Sequence, residues 1–211
     1  MSERLVSSGE KVFGLSRNVR NLPFPAVSCD VSDATSVKDA MRLVKATGQQ
    51  VTGLVNAAGV ASMNLALMSP PSQVRRVIEV NLLGTIFCCQ AFAPLMVRAK
   101  HGRIVNFSSI AVSLGLEGEA VYSASKAGVE AFSRSFAREV SAHGIRVNCI
   151  APGPIDTDLI RGVSDEKINK VVGRQVVQRQ YEASSVCDLV ELLLEGRSEP
   201  ISGQTLHVGG A

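Results

Sequence analysis

The stretch RIVNFSS, residues 103–109, decides the fold together with the two segments after it. This short apolar run ends in two hydroxyl residues. It leads into residues 121–143, where apolar positions recur with a helical period, and then into a second short run, RVNCI, at 146–150. Strands that read as near-continuous apolar runs are buried on both faces, as in a parallel sheet covered by helices. Strand, long helix and strand in that order make a βαβ crossover.

The same rhythm extends outward in both directions. KVFGLS (11–16), VSCDV (27–31) and GLVNAAG (53–59) precede the unit, and TLHV (205–208) closes the series. Helical periodicity fills 36–47, 72–99 and 184–195 between them. Asp33 or Ser36 is placed to cap the 36–47 helix, and Gly144 follows the 121–143 helix where a left-handed residue is favoured. These patterns predict one α/β domain over residues 1–211: a doubly wound, Rossmann-like, mostly parallel sheet with helices on both faces. Residues 1–8 (MSERLVSS) read as the last two turns of a helix running into Gly9 and the strand at Lys11. A helix ahead of that strand implies that the first strand of the sheet is missing.

Composition narrows the class. Charged residues are 19% of the chain, below the roughly 25% usual for soluble domains, while 45% is hydrophobic. That apolar content excludes disorder. Five cysteines, an odd and sparse count, argue against a disulfide scaffold and for a reducing, cytoplasmic setting. A scattered net charge of +3 argues against a nucleic-acid partner. The apolar uncharged stretch 81–97 contains Asn81, Gln90 and Pro94 and is shorter than a bilayer span of about 20 residues. No membrane association is expected, and the first residues lack the apolar segment of a signal peptide. The 72–99 helix is apolar nearly all round, which calls for a second partner; with the 121–143 helix it is expected to form a homo-oligomer contact.

Chemistry concentrates around the 121–143 helix. Tyr122 and Lys126, four apart, share one face. An ammonium about 5 Å from a phenol, at an effective dielectric near 20, favours the anion by about 3 kcal/mol, or roughly two pKa units. Tyr122 is therefore expected to fall below its usual pKa and to exchange protons with a carbonyl or alcohol oxygen. The pair alone is a weak signal, and a surface Tyr beside a solvated Lys fits it as well. Context favours the chemistry: Ser109 ends its strand on the side where open α/β sheets form their ligand crevice, with Ser108 as its close competitor. Asn56-Ala57-Ala58-Gly59 ends another strand with small residues that let a flat ligand approach closely. Asn81, alone on an apolar helix, must find a polar partner. Cys88 and Cys89 are read as core thiols, and His101, His143 and His207 are too dispersed to bind a metal. Asn106-Phe-Ser108 matches a glycosylation acceptor but lies in an expected core strand.

Taken together these motifs resemble the short-chain dehydrogenase/reductase family and, within it, the 3-oxoacyl-(acyl-carrier-protein) reductases. The likeness is carried by Asn56-Ala-Ala-Gly59, Asn81 in VNLLGT, Ser109, Tyr122-Ser-Ala-Ser-Lys126, Arg146-Val-Asn148 with Ala151-Pro-Gly153, Thr157, and ISGQTLHV at 201–208. The resemblance implies that Tyr122 is the general acid of a ketone reduction and that Ser109 holds the substrate oxygen. Lys126 would lower the Tyr122 pKa and bind the nicotinamide ribose, and Asn81 would hold a water in a relay reaching Lys126. It places Asp30 and Val31 at the adenine, Asn56, Ala57 and Gly59 along the adenosine, and Pro152, Gly153, Ile155 and Thr157 at the nicotinamide. The substrate lid would span 159–181.

Cofactor choice rests on Arg17. An NAD site places an acid after this strand to bond the ribose 2′-hydroxyl; Ser16-Arg17 offers instead a guanidinium, with Arg20 close by in sequence, for a 2′-phosphate. NADP(H) is expected. The departure from the family is the absence of its Thr-Gly-x-x-x-Gly-x-Gly turn, whose amides would face the diphosphate. The leading expectation is an NADPH-dependent reductase of a small ketone or an acyl-carrier-protein-bound 3-oxoacyl group. The alternatives are oxidation of a sugar or steroid alcohol by the same residues, and an inactive subunit lacking the phosphate-binding turn.

Overall fold

β4 (Gly102–Phe107) and β5 (Ile145–Ala151) run parallel, in register from Gly102↔Ile145 to Phe107↔Ile150, and α6 (Ala120–Val140) crosses between them. The computed structural model describes residues 1–211 apart from Ser62, Asp158, Leu159 and Arg161. β3 (Gly53–Asn56) pairs with the far side of β4 and β6 (Thr205–His207) with that of β5, giving a parallel order β3-β4-β5-β6.

Successive strand residues point to opposite faces, and here each face meets a helix layer. Ile104 joins Cys89, Ala93 and Met96 of α4 (Gly84–Ala99) and Ala137 of α6. Val105, next along the strand, joins Val186, Val190 and Leu193 of α8 (Ala183–Leu194). Double coverage is why β4 and β5 read as unbroken apolar runs rather than as an alternation.

The sheet is divided. β1 (Gly14–Ser16) and β2 (Ala26–Ser28) form their own two-stranded parallel ladder, and among the described residues no ladder joins β1 to β3. The break lies between β1 and β3. Side chains bridge it: Leu15 and Leu54 pack on one cluster made of Cys29, of Val37, Ala40 and Val44 from α2 (Ala34–Ala46), and of Cys88 and Phe92 from α4. Lys11 Nζ adds a 3.1 Å bond to Gln49 Oε1. α1 (Ser2–Ser7) lies against α8 through Arg4, which pairs with Asp188 and, at 2.8 Å, with Glu191.

The single helix expected over 72–99 is three segments: α3 (Pro71–Ile78), a π-helical turn Glu79–Leu83, and α4. The run Pro71–Ala99 is long and apolar enough, by length and composition, to cross a membrane. In the fold, however, Val77, Asn81, Cys89, Phe92 and Met96 are all buried. Of the two candidate caps of α2, Asp33 accepts from the Thr35 amide at 2.8 Å, while Ser36 Oγ accepts from the Asp30 amide. α5 (Ala111–Leu114) is one turn after β4, and α7 (Asp165–Val172) occupies the middle of the expected lid. Leu159 and Arg161 of that lid lie outside the described residues.

Gly144, between α6 and β5, has φ of +74°, and a Cβ there would stand 2.3 Å from the Lys100 carbonyl oxygen. Gly144→Ala meets both the left-handed backbone cost and a clash with main chain, so it should destabilise the fold by about 2 kcal/mol or more. Urea denaturation should show this as a midpoint about 1 M lower, at an m-value of roughly 1–3 kcal/mol/M.

Candidate active site

The first two turns of α6 carry the buried polar face of the site. Tyr122, Ser125 and Lys126 are buried together, and Lys126 Nζ lies 5.9 Å from the Tyr122 ring centroid. That ammonium donates to the Phe107 carbonyl at 2.8 Å, at the end of β4. Ser125 Oγ donates to the Tyr122 carbonyl at 2.6 Å and accepts from Asn81 Nδ2 at 3.0 Å.

The expected fall in the Tyr122 pKa does not occur. Burial pushes it up to about 12, and Glu119 adds to the rise while the Ser109 hydroxyl opposes it. Lys126 moves the other way, from 10.5 down to about 8, because burial disfavours its charged form. Desolvation is the largest influence on both groups.

Two residues past the end of β4, the serines part company. Ser108 is buried and donates its hydroxyl hydrogen to Glu130 Oε1 at 2.5 Å. Ser109 is half-buried beside Tyr122, and its Oγ accepts from the Ala111 amide at 3.2 Å. Of the two, Ser109 is the one that faces the phenol.

Asn81 lies in the π-helical turn and is fully buried. Its Oδ1 accepts from the Val60 amide at 2.8 Å, and Nδ2 donates to the Val60 carbonyl at 2.9 Å as well as to Ser125. The partner it needed is thus the segment after β3, clipped at both polar atoms of one residue. Beside this clip is Gly59, where an added Cβ would stand 3.4 Å from Asn81 Oδ1 and 3.6 Å from Lys126 Nζ. A Cβ there would make ordinary contact with both groups, and the glycine leaves that space free.

The carboxyl ends of the strands gather most of the remaining residues singled out in the sequence. Arg17 is exposed just past β1, and Asp30 and Val31 follow β2. Two bonds from Ser32 hold the Asp30 carboxyl below its usual range, and Arg76 and Arg17 help. Ala57 and Gly59 are exposed past β3, whereas Asn56 turns inward and donates to Asn106 Oδ1 at 2.8 Å. The Asn56 amide nitrogen is thus spent on tying β3 to β4. Pro152 and Gly153 follow β5, Ile155 is buried and bridges to Tyr181, and the exposed Thr157 donates back to the Ile155 carbonyl at 3.3 Å. Gly153 has a steric reason of its own, since a Cβ there would sit 2.0 Å from Gln175 Oε1. The five cysteines are free and buried, and no group of acids, histidines and cysteines among the described residues could hold a metal.

Comparison with known proteins gives the family. Residues 8–210 match the family model described as enoyl-(acyl carrier protein) reductase. The chain belongs to the short-chain dehydrogenase/reductase family. It is 31% identical to 3-oxoacyl-(acyl-carrier-protein) reductase FabG of Escherichia coli (strain K12), over 100% of this chain and 90% of that one. It is 35% identical to the enzyme of the same name from Staphylococcus aureus (strain Mu50), over 88% of this chain and 75% of that one. A gluconate 5-dehydrogenase from Burkholderia cenocepacia J2315, solved with NADP and tartrate, superposes with a TM-score of 0.90 at 25% identity. That match covers 98% of this chain and 87% of the other.

As a short-chain dehydrogenase/reductase, the chain carries residues that its motifs did not announce. Ser125 lies inside the Tyr-Lys spacing, and Glu130 lies one turn beyond it. Asn81→Ala would strip the half-buried Val60 amide and carbonyl of their side-chain partners. A loss of about 2–4 kcal/mol in denaturant stability is expected, while Ser125→Ala, which leaves Val60 paired, should cost clearly less.

Proposed function

We propose that this chain is an NADPH-dependent reductase that directs hydride onto the carbon of a substrate ketone and a proton onto its oxygen. The substrate class is a 3-oxoacyl group on an acyl carrier protein, or a small ketone like it. One observation carries the reading: a hydroxyl (Ser109), a phenol (Tyr122) and an ammonium (Lys126) stand together at the carboxyl end of β4.

Each residue has a part that its surroundings support. Tyr122, with a pKa pushed up to about 12, remains a phenol at neutral pH and has a proton to give. Ser109 donates to the same substrate oxygen and holds it in line. Lys126 spends one of its three N–H donors on Phe107, which leaves two for ribose hydroxyls and for water. Asn81 uses one lone pair of Oδ1 on Val60. The second faces the gap beside Gly59, where a water would link it to Lys126 in a proton relay.

The residues present fit NADP(H). Arg17 suits a 2′-phosphate, with Asp30 and Val31 at the adenine and Ala57 and Gly59 along the adenosine. Pro152, Gly153, Ile155 and Thr157 would hold the nicotinamide end. The bare Gly59 beside Asn81 and Lys126 is the structural feature that makes room for a close approach. When bound, the cofactor supplies the hydride. A glycine-rich turn for the diphosphate is not found among the described residues.

Oxidation of a sugar or steroid alcohol is the second reading, supported by the likeness to gluconate 5-dehydrogenase. We place the protein in the cytoplasm, in keeping with its free thiols. We also propose that it assembles as a dimer or tetramer through residues 72–99 and 121–143. An apolar groove between α2 and α4, floored by Met41, Phe87, Ala91 and Leu95, supports a contact on that side.

Tyr122→Phe should abolish NADPH-driven reduction of an acetoacetyl thioester while the NADPH dissociation constant, read by fluorescence titration, stays within about twofold. Loss of binding together with turnover would sink the proton-donor role. A folded wild-type chain that binds no NADPH would favour a non-catalytic subunit, and turnover of alcohols with NAD alone would favour the second reading.

Reduction should also fade in alkali. With Lys126 at about 8, about nine-tenths of it is ammonium at pH 7 and about one-tenth at pH 9. Because the protonated form is the competent one, a steady-state pH profile of kcat should fall with an inflection near pH 8. A flat profile to pH 10 would contradict the role of Lys126.

A further inference from the structure

Lys126 and Glu130, successive turns of α6, reach the same short segment. Lys126 Nζ donates to the Phe107 carbonyl at 2.8 Å, and Glu130 Oε1 accepts from Ser108 Oγ at 2.5 Å. On the other side, Ser108 N donates to the Ile150 carbonyl at 2.8 Å and Ile110 N to the Pro152 carbonyl at 3.0 Å. Residues 107–110 are thereby gripped from both sides just where Ser109 turns toward Tyr122.

The Glu130–Ser108 bond is unlike an ordinary surface contact. Ser108 is 3% exposed, so its hydroxyl has no water to fall back on, and a bond to a carboxylate is stronger than one to a neutral acceptor. Ser108 cannot turn outward while that bond holds. Without that bond the Ser108 side chain would be free to change rotamer, and the segment carrying Ser109 would lose its side-chain tie to α6. A misplaced catalytic group costs rate steeply, with about 1 Å worth as much as roughly 100-fold.

We propose that Glu130 is a positioning residue, which by holding Ser108 inward fixes Ser109 against Tyr122. The inference rests on the reading of Ser109 and Tyr122 given under Proposed function. Glu130 touches neither substrate nor cofactor and acts only through Ser108. The charge of the carboxylate is secondary; what matters is an acceptor oxygen at that point.

The test compares Glu130→Leu, Glu130→Gln, Ser108→Ala and the Glu130→Leu/Ser108→Ala double variant, each in the full chain. Glu130→Leu and Ser108→Ala should each lower kcat about tenfold, with KM for acetoacetyl thioester and the NADPH dissociation constant within about twofold. Glu130→Gln, which retains the acceptor, should recover at least half of wild-type kcat, and the double variant should be no worse than the poorer single one. A second readout needs no turnover. The Ala111 amide, which donates to Ser109 Oγ at 3.2 Å, should shift in the 15N–1H spectra of Glu130→Leu and Ser108→Ala, with the Val60 amide unmoved. If kcat and the Ala111 amide both stay at wild-type values, or if Glu130→Gln is as poor as Glu130→Leu, the positioning role is overturned. If the Ala111 amide moves in a chain whose wild type reduces no ketone, the clamp on Ser109 stands and the proposed reaction fails. Should Glu130→Leu not fold, Ser108→Ala and Glu130→Gln carry both readouts.

Discussion

Three strands of the sheet are kept level by a row of buried polar side chains. Asn56, Asn106 and Cys149 are register partners on β3, β4 and β5. Asn56 donates to Asn106 Oδ1 at 2.8 Å, Asn106 donates to Ser133 Oγ on α6 at 2.7 Å, and Cys149 Sγ lies 3.2 Å from the same hydroxyl. A slip of one residue in any strand would turn its amide to the opposite face and leave a buried polar group unpaired, at a cost of about 1–3 kcal/mol. The row therefore sets both the height at which the strands end and the rotation of α6. Ser133 is two turns beyond Lys126, so the contact that satisfies Asn106 also aims Tyr122 and Lys126 at the end of β4.

Burial governs the electrostatics of the site more than pairing does. Tyr122 and Lys126 are both nearly inaccessible, and each is driven toward its neutral form. Treating the lysine as a fixed ammonium overlooks the fact that its own charge is destabilised by the environment that is supposed to profit from it. The result is a phenol that keeps its proton and a lysine whose charge is available near neutrality but not far above it.

Much of this was legible in the residues. The unbroken apolar runs located β3 to β6, Asp33 and Gly144 marked helix ends, and the spacing of Tyr122 and Lys126 put them on one face. Other features depend on contacts between distant segments and have no local signature. The π-helical turn at Glu79–Leu83 is invisible to a 3.6-residue period. Asn56 carries the same letters whether its amide faces a crevice or, as here, Asn106. The choice between Ser108 and Ser109 is made by Glu130, more than 20 residues away. The glycosylation-like triplet at Asn106 turned out to be part of the buried row, which a core strand made the more natural reading.

The division of the sheet bears on how the molecule comes apart. With no ladder from β1 to β3 among the described residues, β1, β2 and α2 adhere to the rest through side-chain packing around Phe92 and Val37. A segment held this way is suited to open as a unit of its own, ahead of global unfolding. Arg17, Asp30 and Val31 belong to that unit, while Lys126, Gly153 and Ser109 belong to the four-stranded one. Any ligand gripped from both sides acts as a crosslink between two semi-independent foldons. Its binding then raises the resistance of the whole chain to opening by RT ln(1 + [L]/Kd), so that occupancy and cohesion become a single quantity.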